Sequence, residues 1–109
     1  MVSLVSQFDN FFVSIVTFME VYGYQFEDEE EKKAVDALFS QLQIVEVNLP
    51  IAQKVVEYRS KPHKKIKIPD AIILATAFVT DSVLLTGDWD DFRGFDSAVK
   101  VSDLNIYKI

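Results

Sequence analysis

The stretch that decides the fold is IKIPDAIILATAFVTDSVLLTGDWDDF, residues 66–92. From Pro69 to about Thr80 it is apolar nearly all round: Ala71, Ile72, Ile73, Leu74, Ala75, Ala77, Phe78 and Val79. A proline suits the first turn of a helix, and a helix apolar on every side is buried on more than one. SVLLT (82–86) is short, continuous and apolar, as expected of a strand covered on both faces. Asp70 stands in the first turn of this helix, and Asp88 stands two residues beyond the strand. The stretch therefore places a carboxylate at each of its two breaks.

The flanking sequence extends the same alternation. Turn residues Asp9 and Asn10 precede FFVSIV (11–16), a β-branched run that reads as a strand. TFMEVYGY (17–24) reads as a helix start, with Gly23 as its stop. Residues 27–43 form a second helix, with acids crowding its first turn and Ala34, Val35, Leu38, Phe39 and Leu42 on one stripe. IVEV (44–47) is a strand. Asn48 caps the next helix, Pro50 sits near its start, and Ile51, Val55 and Tyr58 line its inner face. A basic loop, SKPHKKIK (60–67), leads into the buried helix. Residues 88–92 make a short helical turn, and VKV (99–101) and NIYKI (105–109) are the final strands. Short strands alternating with helices predict one α/β domain over residues 1–109, with a mostly parallel central sheet flanked by helices.

Composition narrows the chemistry. Half of the 109 residues are hydrophobic, so the chain should fold. Eleven basic against seventeen acidic residues give −6, so nucleic-acid binding requires a local basic patch or a metal. With no Cys, thiol chemistry and cysteine zinc sites are excluded. A single histidine, His63, argues against a histidine-rich metal site, and it reads as a loop residue. No apolar run reaches the roughly 20 residues of a membrane span, and nothing reads as a signal peptide. A soluble, cytoplasmic protein is the expectation.

In a parallel α/β sheet, functional groups gather beyond the carboxyl ends of the strands. Glu20, Asp70 and Asp88 all fall at such places. Each also has a structural explanation. Thr17 and Glu20 match a capping box, Asp70 suits a helix dipole, and Asp88 suits the cap of a turn after Gly87. Asp90 and Asp91 suit a solvated turn. Taken together, acids held close raise one another's pKa unless a cation joins them, and hard cations such as Mg²⁺ and Mn²⁺ prefer oxygen ligands.

At these residues the chain resembles the PIN domain, in particular VapC-type toxins of toxin–antitoxin pairs. The marks are S-x-V-T-x-x-E-x-Y-G at Ser14–Gly23, I-P-D-A-x-I-x-A-T-A at Ile68–Ala77, and L-x-T-x-D-x-x-D-F at Leu84–Phe92. The resemblance implies a metal-dependent ribonuclease fold with an acidic Mg²⁺ or Mn²⁺ pocket. It implies catalytic and metal-binding roles for Glu20, Asp70 and Asp88, with support from Asp91 and Thr86. It also implies an RNA substrate, an antitoxin partner and a homodimer. The family begins with an apolar strand ending in Asp, whereas Met1 is only nineteen residues before Glu20. The chain is accordingly read as N-terminally truncated, without that strand and its acid, leaving a gap in the sheet that strand closure or a second chain would fill. Lys61, Lys64, Lys65 and Lys67, with Arg59, are candidate RNA contacts. The competing expectation is a non-catalytic PIN remnant that acts only as a dimerising or interaction module. A receiver-type or dehalogenase-type acidic pocket ranks last, because its nucleophilic Asp at the end of a first strand is missing.

Overall fold

The computed structural model describes residues 3–7 and 10–103. The elements run β1 (Leu4–Gln7), β2 (Asn10–Ser14), α1 (Ile15–Tyr22), α2 (Glu29–Ser40), β3 (Gln43–Val45), α3 (Leu49–Arg59), α4 (Ile68–Val79), β4 (Val83–Thr86), α5 (Trp89–Phe92) and β5 (Val101–Asp103). The strands form one sheet in the order β3-β2-β1-β4-β5.

Four strands run the same way. β2 pairs parallel with β3, and β4 with β5, while β1 pairs antiparallel with both β2 and β4. This mixed sheet bears out an α/β fold, and of the two ways expected to fill its centre it uses a strand of the same chain. Leu4–Gln7 stands at its centre, with Val5 opposite both Phe12 and Leu84. The strand saturates backbone groups on β2 and β4 that would otherwise be open edges. Because β1 runs backwards, its beginning lies at the carboxyl end of β4, where Ser3 Oγ and Thr86 Oγ1 are 3.0 Å apart.

The core lies between one face of the sheet and the helix pair α3/α4. Val5, Leu84, Ile51, Tyr58, Ala71, Leu74 and Ala75 are buried there. The all-round apolarity of α4 is thereby used up: the sheet takes one side and α3 the other, leaving Ile68 and Phe78 as its exposed large residues. The opposite sheet face carries a groove of about 410 Å³ lined by Leu4, Ser6, Phe11, Val83 and Leu85.

Local chemistry explains the boundaries. The Asp28 and Asn48 side chains accept from the amides of Glu31 and Ile51, capping α2 and α3. At the end of α4, Ser82 N donates to Ala77 O at 2.9 Å and Asp81 N to Phe78 O at 3.2 Å, with Asp81 at φ 53°. This is a Schellman-type stop in which Asp occupies the left-handed position that glycine usually takes. Gln7 Nε2 also donates to Thr80 O, tying β1 to the same helix end. Tyr58 OH donates to Asp96 Oδ2 at 2.6 Å, pinning the segment after α5 onto α3. Burial pushes the Asp96 carboxyl up, but the Tyr58 hydroxyl, the Ala98 amide, Lys54 and Lys61 together hold it below the usual carboxylate range.

Several expectations shift. The run 11–16 divides: β2 ends at Ser14 and the helix begins at Ile15. The third strand is Gln43–Val45 and the fifth Val101–Asp103, each offset from its expected range. Of the stripe expected on α2, only Phe39 is buried, so that helix rests at the margin of the core. Asp9 and the expected strand 105–109 lie outside the described residues.

Candidate functional site

Glu20, Asp70 and Asp88 line one cleft of about 390 Å³. Three different elements bring them there. Glu20 is in the last turn of α1, Asp70 in the first turn of α4, and Asp88 in the turn after β4. Ser3, Glu31, Val35, Tyr24 and Phe92 also line it.

Two of the structural explanations for these acids fail. The N-cap of α1 is Ser14, whose Oγ accepts from Val16 N at 3.1 Å, so Thr17 and Glu20 do not form a capping box. Thr17 lies inside the helix, buried, with its hydroxyl lacking a partner among the described residues. Asp88 precedes α5, but its side chain makes no cap bond. Asp70 retains its dipole role, since it sits in the first turn of a twelve-residue helix whose N-cap, Lys67, offers no side-chain bond.

The electrostatics are those of an anionic site. Burial, then the charges of Asp91 and Asp88, push the Asp70 carboxyl above its ordinary range, with Lys67 acting in opposition. Thr86 is fully buried, and its Oγ1 accepts from Asp88 N at 3.1 Å, fixing the turn that carries the carboxylate. Asp91 lines an adjoining hollow with Gly87, Asp88, Asp90 and Asp103. The basic loop divides. Lys64 Nζ donates to Gly94 O at 3.1 Å, and the Lys61 ammonium lies 5.3 Å from the Phe95 ring centre, so both brace the segment after α5. Lys65 is exposed. Of the four, Lys67 is the one whose charge Asp70 feels.

Glu31 and Ser3 were not legible as site residues. In the acidic run 29–31 all three carboxylates suit the helix dipole, but only Glu31 is partly buried and turned to the cleft. Its spacing of four from Val35, which lines the same cleft, is the signal.

Asp70 binds its proton more tightly in the folded chain than in the unfolded one. Its contribution to stability is thus complete below the unfolded pKa and is lost as pH rises through the raised folded value. Asp70→Asn is therefore expected to melt higher than the wild type at neutral pH in EDTA. Solvent screening keeps the gain within about 1 kcal/mol. The gain should vanish in acid, where both side chains are neutral. Thermal unfolding at several pH values is the check, and a variant less stable than wild type at neutral pH contradicts the account.

Comparisons with known proteins agree with this geometry. The PIN-domain family model matches residues 2–97. Among curated proteins no match is found. A solved structure described as "Toxin-antitoxin complex from Klebsiella pneumoniae" is similar at a TM-score of 0.63 and 32% identity, covering 81% of this chain and 70% of that one. No helix among the described residues is long and apolar enough to cross a membrane. With its motifs, its sheet order and a family match over most of its length, the chain belongs to the PIN-domain family.

Proposed function

We propose that the cleft is a divalent-cation site for cleaving RNA phosphodiester bonds, in a toxin-type PIN protein partnered by an antitoxin. The observation that carries this reading is the arrival of Glu20, Asp70 and Asp88 from three elements on one cleft. The Klebsiella pneumoniae neighbour, a toxin–antitoxin complex, supports the protein partner.

The donor set fits a hydrated Mg²⁺ or Mn²⁺. The charged side chains lining the cleft are all carboxylates, which hard cations prefer. Among the described residues no three acids stand close enough to form a ready-made cage. Mg²⁺ commonly binds through one or two carboxylates and keeps several waters, so that spacing suits it. Asp70, whose carboxyl feels the charges of Asp91 and Asp88, would hold the ion together with Asp88, with Glu20 reaching it through water. When bound, such an ion activates water and stabilises the charge of a phosphoryl transition state. Thr86 holds the Asp88 turn in place. Lys67 supplies positive charge beside Asp70 for a phosphate. Asp91 adds negative charge that Asp70 feels, and Lys61, Lys64 and Lys65 stand further along the loop.

A second reading, a non-catalytic interaction module, is favoured by one observation. The central strand brings Ser3 to the cleft where a further carboxylate would complete the site, and its hydroxyl is committed to Thr86. Both readings include pairing with a second copy, through the exposed Leu49 and Val56 of α3 and Ile68 of α4. Light scattering should then give a mass near twice 12.5 kDa, and a monomer at micromolar concentration rejects the pairing. The experiment that separates the two readings is Mn²⁺-dependent cleavage of single-stranded RNA by the wild type and by Asp70→Asn, with EDTA as control.

A further inference from the structure

The cleft has an apolar wall that cation binding does not require. We infer that Tyr24 is a stacking platform for an unpaired RNA base next to the phosphodiester held at the carboxylates. The inference rests on the nuclease reading of the cleft and names the part of the substrate that the site grips.

The aromatic residues around Tyr24 are committed. Tyr22 packs edge-on against Phe39 at 5.2 Å and Phe26 at 6.0 Å. Its hydroxyl donates to Asp36 Oδ1 at 2.6 Å, tying α1 to α2. Phe18 packs on Tyr22 and Phe39. Tyr24 differs. It is 62% exposed, and among the described residues its ring has no aromatic partner and its hydroxyl no hydrogen bond. Even so, it lines the same cleft as Glu20, Asp70 and Asp88.

Its backbone is held although its ring is not. Gly23 N donates to Met19 O at 2.8 Å and Tyr24 N to Val21 O at 3.3 Å, closing the end of α1. A Cβ at Gly23 would meet Met19 O at 2.7 Å, so glycine permits this close turn. The result is a fixed stem with a free aromatic face at the cleft mouth. A single-stranded nucleotide presents a phosphate and, attached to it, a flat base with no partner. Stacking on aromatic side chains is the main way proteins hold such bases, and it tolerates any base identity. A cleft with carboxylates on one wall and a free ring on another matches that pairing of groups, with a cation bridging the phosphate to the acids.

The test uses the full chain and a short single-stranded RNA carrying 2-aminopurine, in Ca²⁺ to suppress cleavage. Binding to the wild type should quench the 2-aminopurine fluorescence. Tyr24→Phe should keep the quench. Tyr24→Ala should lose it and bind about tenfold or more weakly, with the thermal midpoint and Mn²⁺ binding unchanged. Equal quench and affinity in Tyr24→Ala overturns the stacking role and leaves the nuclease reading standing. A fall in thermal midpoint or in Mn²⁺ binding that accompanies the RNA loss shows a structural role and also overturns it. Tyr24→Ala that binds RNA normally but loses an antitoxin protein assigns the ring to that interface instead. Absence of RNA binding by the wild type rejects both the stacking role and the nuclease reading.

Discussion

Asp70→Asn is expected to bring Mn²⁺-dependent RNA cleavage to background, a loss of about 10²-fold. Burial and the neighbouring Asp91 and Asp88 raise the pKa of Asp70, so a cation beside it would relieve that repulsion. Asn keeps the shape and one oxygen but removes the charge that would hold the ion. The wild-type rate is itself expected to be low. Two-metal phosphodiester cleavage needs carboxylates enough to hold both ions, and the central strand contributes Ser3 rather than an acid. The assay is cleavage of a labelled single-stranded RNA at high protein concentration, with and without EDTA. EDTA-sensitive cleavage retained by Asp70→Asn would place the chemistry elsewhere. Fast EDTA-sensitive cleavage by the wild type, lost in the variant, would keep the site and refute the argument from carboxylate number.

Leu74→Ala should cost about 2–5 kcal/mol. Leu74 is fully buried in the middle of α4, among Val5, Ile51, Tyr58 and Leu84. Truncation opens a void beneath the helix that carries Asp70, where the sheet and α3 meet. Its surroundings are held by β1 pairing and by the Tyr58–Asp96 bond, so collapse onto the void is limited. For a domain of this size that loss lowers the thermal midpoint by roughly 10 °C or more. Lys33→Ala on the exposed face of α2 should cost no more than about 0.5 kcal/mol. Denaturant or thermal unfolding measures both, and equal costs for the two would mean that α4 is not the core helix.

The α4–β4 unit was legible because its signals are local and redundant. Pro69, the all-round apolar run and SVLLT each fix the same boundaries. Asp70 and Asp88 were legible for the same reason, since they stand at the two ends of that unit. Glu20 was placed by the same rule, after a strand-like run, although its context also reads as a capping box. The structure removes that alternative by giving the cap to Ser14. The central strand was not legible. Leu4–Gln7 is four residues long, and its alternation of a buried Val5 with half-buried neighbours is too brief to register as a period. What fixes it is non-local: open backbone edges on β2 and β4, which lie far apart in sequence. Ser3 was missed with it. Glu31 was hidden by a run of like residues, among which only the tertiary packing of α2 selects one for the cleft.

Glu20, Asp70 and Asp88 are proposed to act together on one divalent cation. The most direct measurement is Mn²⁺ titration of the metal-free chain followed by electron paramagnetic resonance, which reads bound against free ion without reference to activity. The account predicts saturable, weak binding that Mg²⁺ displaces. Asp70→Asn and Asp88→Asn should abolish it and Glu20→Gln should weaken it. Saturable binding that survives all three substitutions, or no binding by the wild type at millimolar Mn²⁺, would contradict the claim.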